Sequence, residues 1–153
     1  MRKILLHICI ILVLCSLNGC KETDKRSRFL KQYMKEVFPD YKMKDGEYLF
    51  LLPGGCMRCN EMVVATLCQT PEILNEHYHA VILSQKTLTL YGDTIRHIHQ
   101  NILIDETNKI DRMSLGIWGI AVIKIKNKKI VASKSMTVND YEKGVTAFFE
   151  EPL

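Results

Sequence analysis

Two cysteines two residues apart, in Gly54-Gly55-Cys56-Met57-Arg58-Cys59, are the residues of this chain best suited to covalent chemistry. A C-x-x-C pair sustains three kinds of chemistry: reversible dithiol–disulfide exchange, half of a tetrahedral metal site, or a structural disulfide. The flanking residues decide what the pair meets. Tyr48 to Leu52 is a run of five apolar residues bounded by Asp45-Gly46 and Pro53-Gly54-Gly55, which predicts a strand buried on both faces. From Asn60 onward, Met62, Val63, Ala65, Leu67 and Cys68 predict a helix that stops before Pro71. A thiol at the first turn of a helix meets unpaired N–H groups and the positive end of the helix dipole, and both favour thiolate. Cys56 is therefore expected to be the attacking thiol, with Arg58 adding positive charge. Cys59, one turn on, is expected to resolve a mixed disulfide.

The other two chemistries make different demands. A zinc site needs two more ligands, and His77-Tyr78-His79 and His97-Ile98-His99 each offer an imidazole pair, although nothing near the cysteines requires them. No metal site is assigned. A purely structural Cys56–Cys59 bridge closes a very small loop and adds little chain-entropy stabilisation. Cys68 lies on the apolar side of its helix, as a small buried hydrophobe does.

The compartment follows from the N-terminus. Arg2 and Lys3 precede an apolar run, Ile4 to Leu17, that is short for a membrane span and reads as an export signal. It ends in Leu17-Asn18-Gly19-Cys20, which resembles the bacterial lipoprotein lipobox, implying that residues 1–19 are removed and that Cys20 is lipidated. The expected location is the cell envelope, lipid-anchored to a membrane on its periplasmic or surface side, where disulfides persist. Cys9 and Cys15 leave with the signal, so Cys56, Cys59 and Cys68 remain as thiols, too few for a disulfide-stapled scaffold. Loss of Arg2 and Lys3 leaves 19 basic against 17 acidic residues, a net charge of +2 that argues for no nucleic-acid partner.

The mature chain reads as a polar tether over residues 20–28 and one domain over residues 29–153. Phe29, Leu30, Tyr33, Met34, Val37 and Phe38 recur at helical spacing. Pro71 to Tyr78 extends or restarts the cysteine helix, and Ala80 to Leu83 is a second buried strand. Between residues 84 and 100, Thr87-Leu88-Thr89-Leu90-Tyr91 alternates like a strand and Thr94 to Gln100 resembles a short helix. Asn101 to Ile104 is an apolar run before the turn residues Asp105 to Asn108. Ala121 to Ile125 and Lys129 to Ala132 flank Lys126-Asn127-Lys128 as an antiparallel hairpin, and a last helix is expected from about Asn139 to Glu150.

This order of strand, Gly-Gly-Cys-Met-Arg-Cys, helix and strand, followed by LIDETNKIDRMSLGIWGIAVIKIKNKKIV, resembles the thioredoxin superfamily over roughly residues 47–150. The membrane-tethered bacterial thiol-disulfide proteins are the nearest in pattern. The resemblance implies an α/β fold, a thioredoxin-like three-layer sandwich with a central mixed β-sheet flanked by helices. It implies a thiol-disulfide oxidoreductase with Cys56 and Cys59 as catalytic pair, no cofactor, and protein thiols or disulfides as partners. In the family a stretch ending Gly-Val-x-Gly-x-Pro leads into the hairpin and faces the cysteines. Leu115-Gly116-Ile117-Trp118-Gly119-Ile120 matches that loop, with Ala121 after it at the proline position, and the resemblance implies that Trp118, Gly119, Ile120 and Ala121 face substrate. Trp118, the single tryptophan, suits a groove wall and a core position equally. Two departures stand out: Ala121 replaces the family's cis-proline, so a trans loop is expected, and Tyr48 to Leu52 lacks the buried acid of some relatives. The alternative reading is a redox-inactive thioredoxin-like binding module that uses the loop at 115–121, and a metal-binding protein is the third.

Overall fold

Five successive apolar residues with no polar break place a strand in the middle of a sheet, where both faces are covered. The computed structural model describes residues 25–53, 57–113, 115–151 and 153, with the side chains of 57–59, 93, 138, 142 and 143 outside the description. In it, β1 (Gly46–Leu51) pairs in parallel with β2 (Tyr78–Ser84) and antiparallel with β4 (Ile120–Lys126). β3 (Ile102–Asp105) lies parallel to β2, and β5 (Lys129–Ser135) antiparallel to β4, giving a five-stranded mixed sheet in the order β3-β2-β1-β4-β5.

Side-chain alternation along the strands feeds two cores. Leu49 and Leu51 of β1, with Val81 and Leu83 of β2, join Val63, Val64 and Leu67 of α2 (Met57–Gln69) on one face. Leu74 of α3 (Pro71–His77) and the pair Phe148 and Phe149 of α6 (Val145–Glu150) complete that core. Tyr48, Phe50, Ala80, Ile82 and Ile123 point to the other face and meet Leu30, Tyr33 and Met34 of α1, residues 25–37. The fold is thus α/β, with helices on both sides of a mixed sheet.

The N-terminal helix reaches further back than its apolar stripe suggests. Residues 25–28, expected in the tether, are already helical because they have partners on the domain. The Arg26 Nε donates to the Leu115 carbonyl (2.8 Å), and the buried Ser27 hydroxyl accepts the Ile130 N–H (3.0 Å).

Two other segments depart from the sequence pattern. Gln85–Tyr91, expected to alternate as a strand, is the helix α4. Ser84 caps it by accepting the Thr87 N–H (3.1 Å), and Thr87 with Leu88 turns inward while Leu90 stays 54% exposed. Leu88 and Leu90 would share a face in a strand and do not in a helix. A 3₁₀ turn, Gly92–His97, follows. The C-terminal helix is divided into α5 (Val138–Lys143) and α6, because Gly144 takes a φ of 105° that ends the first. The β4–β5 turn places Asn127 and Lys128 at φ 52° and 59°, and the Asp45 carboxylate accepts the N–H of Asn127 (2.9 Å).

Asp105 ends β3 and is fully buried, yet every bond it makes serves the chain beside it. One carboxylate oxygen accepts the Tyr33 hydroxyl (3.2 Å) and the Ile110 N–H (2.9 Å), and the other accepts the Thr107 N–H (3.1 Å) and hydroxyl (2.7 Å). Burial and the adjacent carboxylate push the Tyr33 phenol far above its ordinary range, so it remains a donor. Removing the acceptor orphans two buried donors, the Tyr33 hydroxyl and the Ile110 N–H, whereas removing Tyr33's hydroxyl deletes one donor. Asp105→Ala should therefore cost roughly 2–3 kcal/mol and Tyr33→Phe about 1 kcal/mol, read from urea midpoints at constant slope.

Candidate functional site

Parallel strands β1, β2 and β3 all end on one side of the sheet, the side at which open α/β sheets place their ligands. In the sequence the C-x-x-C follows directly on β1. β1 runs out through Leu52 and Pro53, and four residues after Pro53 comes Met57, the first residue of α2. Cys56 lies outside the described residues, while the Cys59 backbone belongs to the first turn of α2.

The antiparallel β1–β4 ladder decides what stands beside the end of β1. Leu51 pairs with Ile120 and Phe50 with Ala121, and the Leu52 N–H donates to the Gly119 carbonyl (3.0 Å). The loop of residues 115–119 is therefore fastened alongside the strand that leads to the cysteines. Leu115 is buried at its start, with its carbonyl held by Arg26. Gly116 and Gly119 take φ values of 63° and 60°, which L side chains rarely adopt, and between them the loop presents Trp118 80% exposed.

A groove of about 710 Å³ runs between this loop and the end of the sheet. Leu52, Pro53, Met113, Ile117 and Trp118 give it an apolar wall. Lys86 and Asp111 face them, with Lys86 Nζ 3.0 Å from an Asp111 carboxylate oxygen. Of the four residues expected to face substrate, Trp118 and Gly119 line the groove. Ile120 and Ala121 are the first residues of β4 and turn buried side chains into the two cores, as their pairing with β1 dictates. The described residues contain no cis peptide bond.

Lys86, Asp111 and Met113 lack any motif in the sequence and enter the site through the fold. Lys86 arrives because α4 begins at the end of β2, and Asp111 because Asp105 folds the 3₁₀ turn Lys109–Arg112 against α1. The Thr87 hydroxyl donates to the Leu51 carbonyl (2.9 Å), tying α4 to the last residue of β1. Behind it, Asn60, Thr87 and Tyr91 line a cavity of about 10 Å³ against the first turns of α2. Burial pushes the Tyr91 phenol up, and the Asn60 amide beside it acts in the opposite direction.

One histidine of each pair serves the fold. Nδ1 of His99 accepts the Asn101 N–H (2.9 Å), which leaves its Nε2 to donate to the Tyr78 carbonyl (3.0 Å). His79 Nε2 donates to the Asp45 carbonyl (2.6 Å). Among the described residues no three His, Cys, Asp or Glu side chains are grouped as metal ligands. Cys68 is half-buried against the core, and burial raises its thiol above the ordinary range. In comparisons with known proteins, no family model matches the chain and no curated protein matches its sequence.

Register also fixes what the position matching the family's proline tolerates. Since Leu52–Gly119 is a hydrogen-bonded pair, Phe50–Ala121, two residues along, is the next, and the Ala121 N–H belongs to the ladder. Proline there deletes that donor and leaves a buried carbonyl unpaired. Ala121→Pro should lower unfolding stability by about 1–3 kcal/mol in chemical denaturation.

Proposed function

We propose that this protein is a lipid-anchored thiol-disulfide oxidoreductase of thioredoxin-like architecture, with Cys56 and Cys59 as its redox couple. The observation that carries the reading is positional. The C-x-x-C joins the end of the central strand β1 to the first turn of α2, and the groove bearing Trp118 opens next to Pro53. The sheet order β3-β2-β1-β4-β5, with its antiparallel β4–β5 hairpin and helices on both faces, supports the same architecture.

The chemistry follows from that position. Cys56 thiolate attacks one sulfur of a partner disulfide, forming a mixed disulfide as the partner's bond breaks and its other sulfur leaves as thiolate to take up a proton. Cys59 thiolate then attacks the Cys56 sulfur, and the partner's second thiolate departs. The partner gains two electrons and Cys56–Cys59 is oxidised, to be reset by a dithiol donor. Run backwards, the same steps oxidise a partner dithiol. The apolar wall of Leu52, Ile117 and Trp118 suits an extended, partly apolar polypeptide.

The anchor belongs to the same reading. Among the described residues no helix is long and apolar enough to cross a membrane, and the lipobox-like Leu17-Asn18-Gly19-Cys20 supports attachment through acyl chains. A second reading, a redox-inactive binding module, is favoured by one feature. The exposed Trp118 and its groove form a recognition surface without the cysteines.

Two measurements test these readings. Cys59→Ser should accumulate partner proteins in mixed disulfide with Cys56, resolved on non-reducing gels, whereas Cys56→Ser should trap none. An absence of trapped partner together with unchanged partner binding selects the binding module. Mass spectrometry of the membrane-fraction protein should find Cys20 as the first residue, carrying acyl chains. A different mature N-terminus removes the lipoprotein assignment.

A further inference from the structure

Residues 25–28 of helix α1 are fastened to the end of the domain that carries the groove. Arg26 donates through Nε to the Leu115 carbonyl (2.8 Å) and through Nη2 to the Ser133 hydroxyl (3.1 Å). Leu115 opens the loop, so Trp118, three residues on, stands within about 11 Å of it along the chain. Five residue steps separate Cys20 from Lys25, at most roughly 18 Å of extended chain. The segment between them, Lys21-Glu22-Thr23-Asp24, is polar throughout and carries one basic and two acidic side chains. Acyl chains on Cys20 thus hold the start of α1, and the loop bonded to it, at the near side of the domain.

The chemistry of that near side is specific. Trp118 is 80% exposed, although burial is the common fate of so large an apolar ring in a monomeric domain. Indole favours the boundary between headgroups and acyl chains, where its ring is desolvated and its N–H stays wet. Lys25 and Arg28 are exposed on α1. Lys129 is exposed next to Ile130, whose N–H is bound by Ser27 of that same helix. Basic side chains at this distance from a bilayer are drawn to anionic headgroups.

The geometry points to a second role for the loop of residues 115–119: with the basic residues 25–28 of α1 beside it, it is a contact surface for the headgroup region of an anionic membrane. This inference rests on acylation at Cys20 and is independent of the redox reading. The groove is then turned toward the bilayer, which favours partners whose reactive sulfurs lie close to the membrane surface.

Trp118 is the single tryptophan, so its fluorescence reports on this loop alone. The test uses the mature protein, purified from membranes and reconstituted on vesicles of phosphatidylglycerol and phosphatidylcholine with brominated acyl chains. The expected result is a blue shift of emission, loss of intensity to the bromines and protection from aqueous acrylamide. Each effect should be weaker on phosphatidylcholine alone and in high salt. Equal effects on both vesicle types overturn the basic contribution. Acylated, vesicle-bound protein whose Trp118 keeps a water-exposed emission and full acrylamide quenching overturns the membrane contact and leaves the anchor standing. An unacylated Cys20 overturns both, whereas loss of thiol exchange with the Trp118 signals intact removes the redox reading alone.

Discussion

The pairing of β1 with β4 is the constraint on which the rest of the molecule depends. β1 is hydrogen-bonded on both edges and buried on both faces, so its register is over-determined. A slip of one residue would exchange Leu49 and Leu51 with Tyr48 and Phe50 between two differently shaped cores. Each fully buried aliphatic or aromatic side chain contributes roughly 1.5–3 kcal/mol relative to exposure, which makes such a slip prohibitive. The same register brings Leu52, and Pro53 after it, alongside Gly119 and the Trp118 loop. Core packing and site geometry are therefore one constraint.

The far wall of the groove is placed by a different mechanism. The Lys86–Asp111 ion pair is partly exposed, and such pairs contribute at most about 1 kcal/mol, too little to position two segments. The segments are positioned beforehand. Ser84 and Thr87 lock α4 onto Leu51, and the Asp105 carboxylate draws in Thr107 and Ile110 ahead of Asp111. Because Tyr33 donates to the same carboxylate, α1 is tied to the groove from behind, and Arg26 ties it again at Leu115. Helix α1 is thereby coupled both to the end of β3 and to the start of the loop that bears Trp118.

Where the sequence was legible, one local force dominated. The strands β1 and β2 and the hairpin β4–β5 could be read because continuous or alternating apolar runs leave a chain few ways to hide them. The stop at Pro71 was readable because proline cannot donate within a helix. The misreadings share the opposite cause. Alternation of Leu88 and Leu90 suggested a strand, and a serine cap with contacts from Leu51 made a helix of it. A continuous stripe from Tyr141 to Phe149 suggested one helix, and the positive φ of Gly144 made two. Lys86 and Asp111 are ordinary surface residues in sequence, and they meet only because separate strands end on the same side of the sheet.

By itself the sequence determined the chemistry available to this protein: the C-x-x-C at a strand–helix junction, the lipobox-like Cys20, the mixed α/β pattern and the glycine-flanked Trp118. These are local properties, set by spacing, side-chain type and backbone preference within a few residues. The tertiary structure decided which of them meet. It sealed Ile120 and Ala121 into β4, left Trp118 exposed beside Pro53, and fastened the start of α1 to the loop at Leu115. Each of these outcomes depends on contacts between residues far apart in the chain. Such contacts become favourable together, once the shared cores on the two faces of the sheet have closed, and no local pattern encodes them.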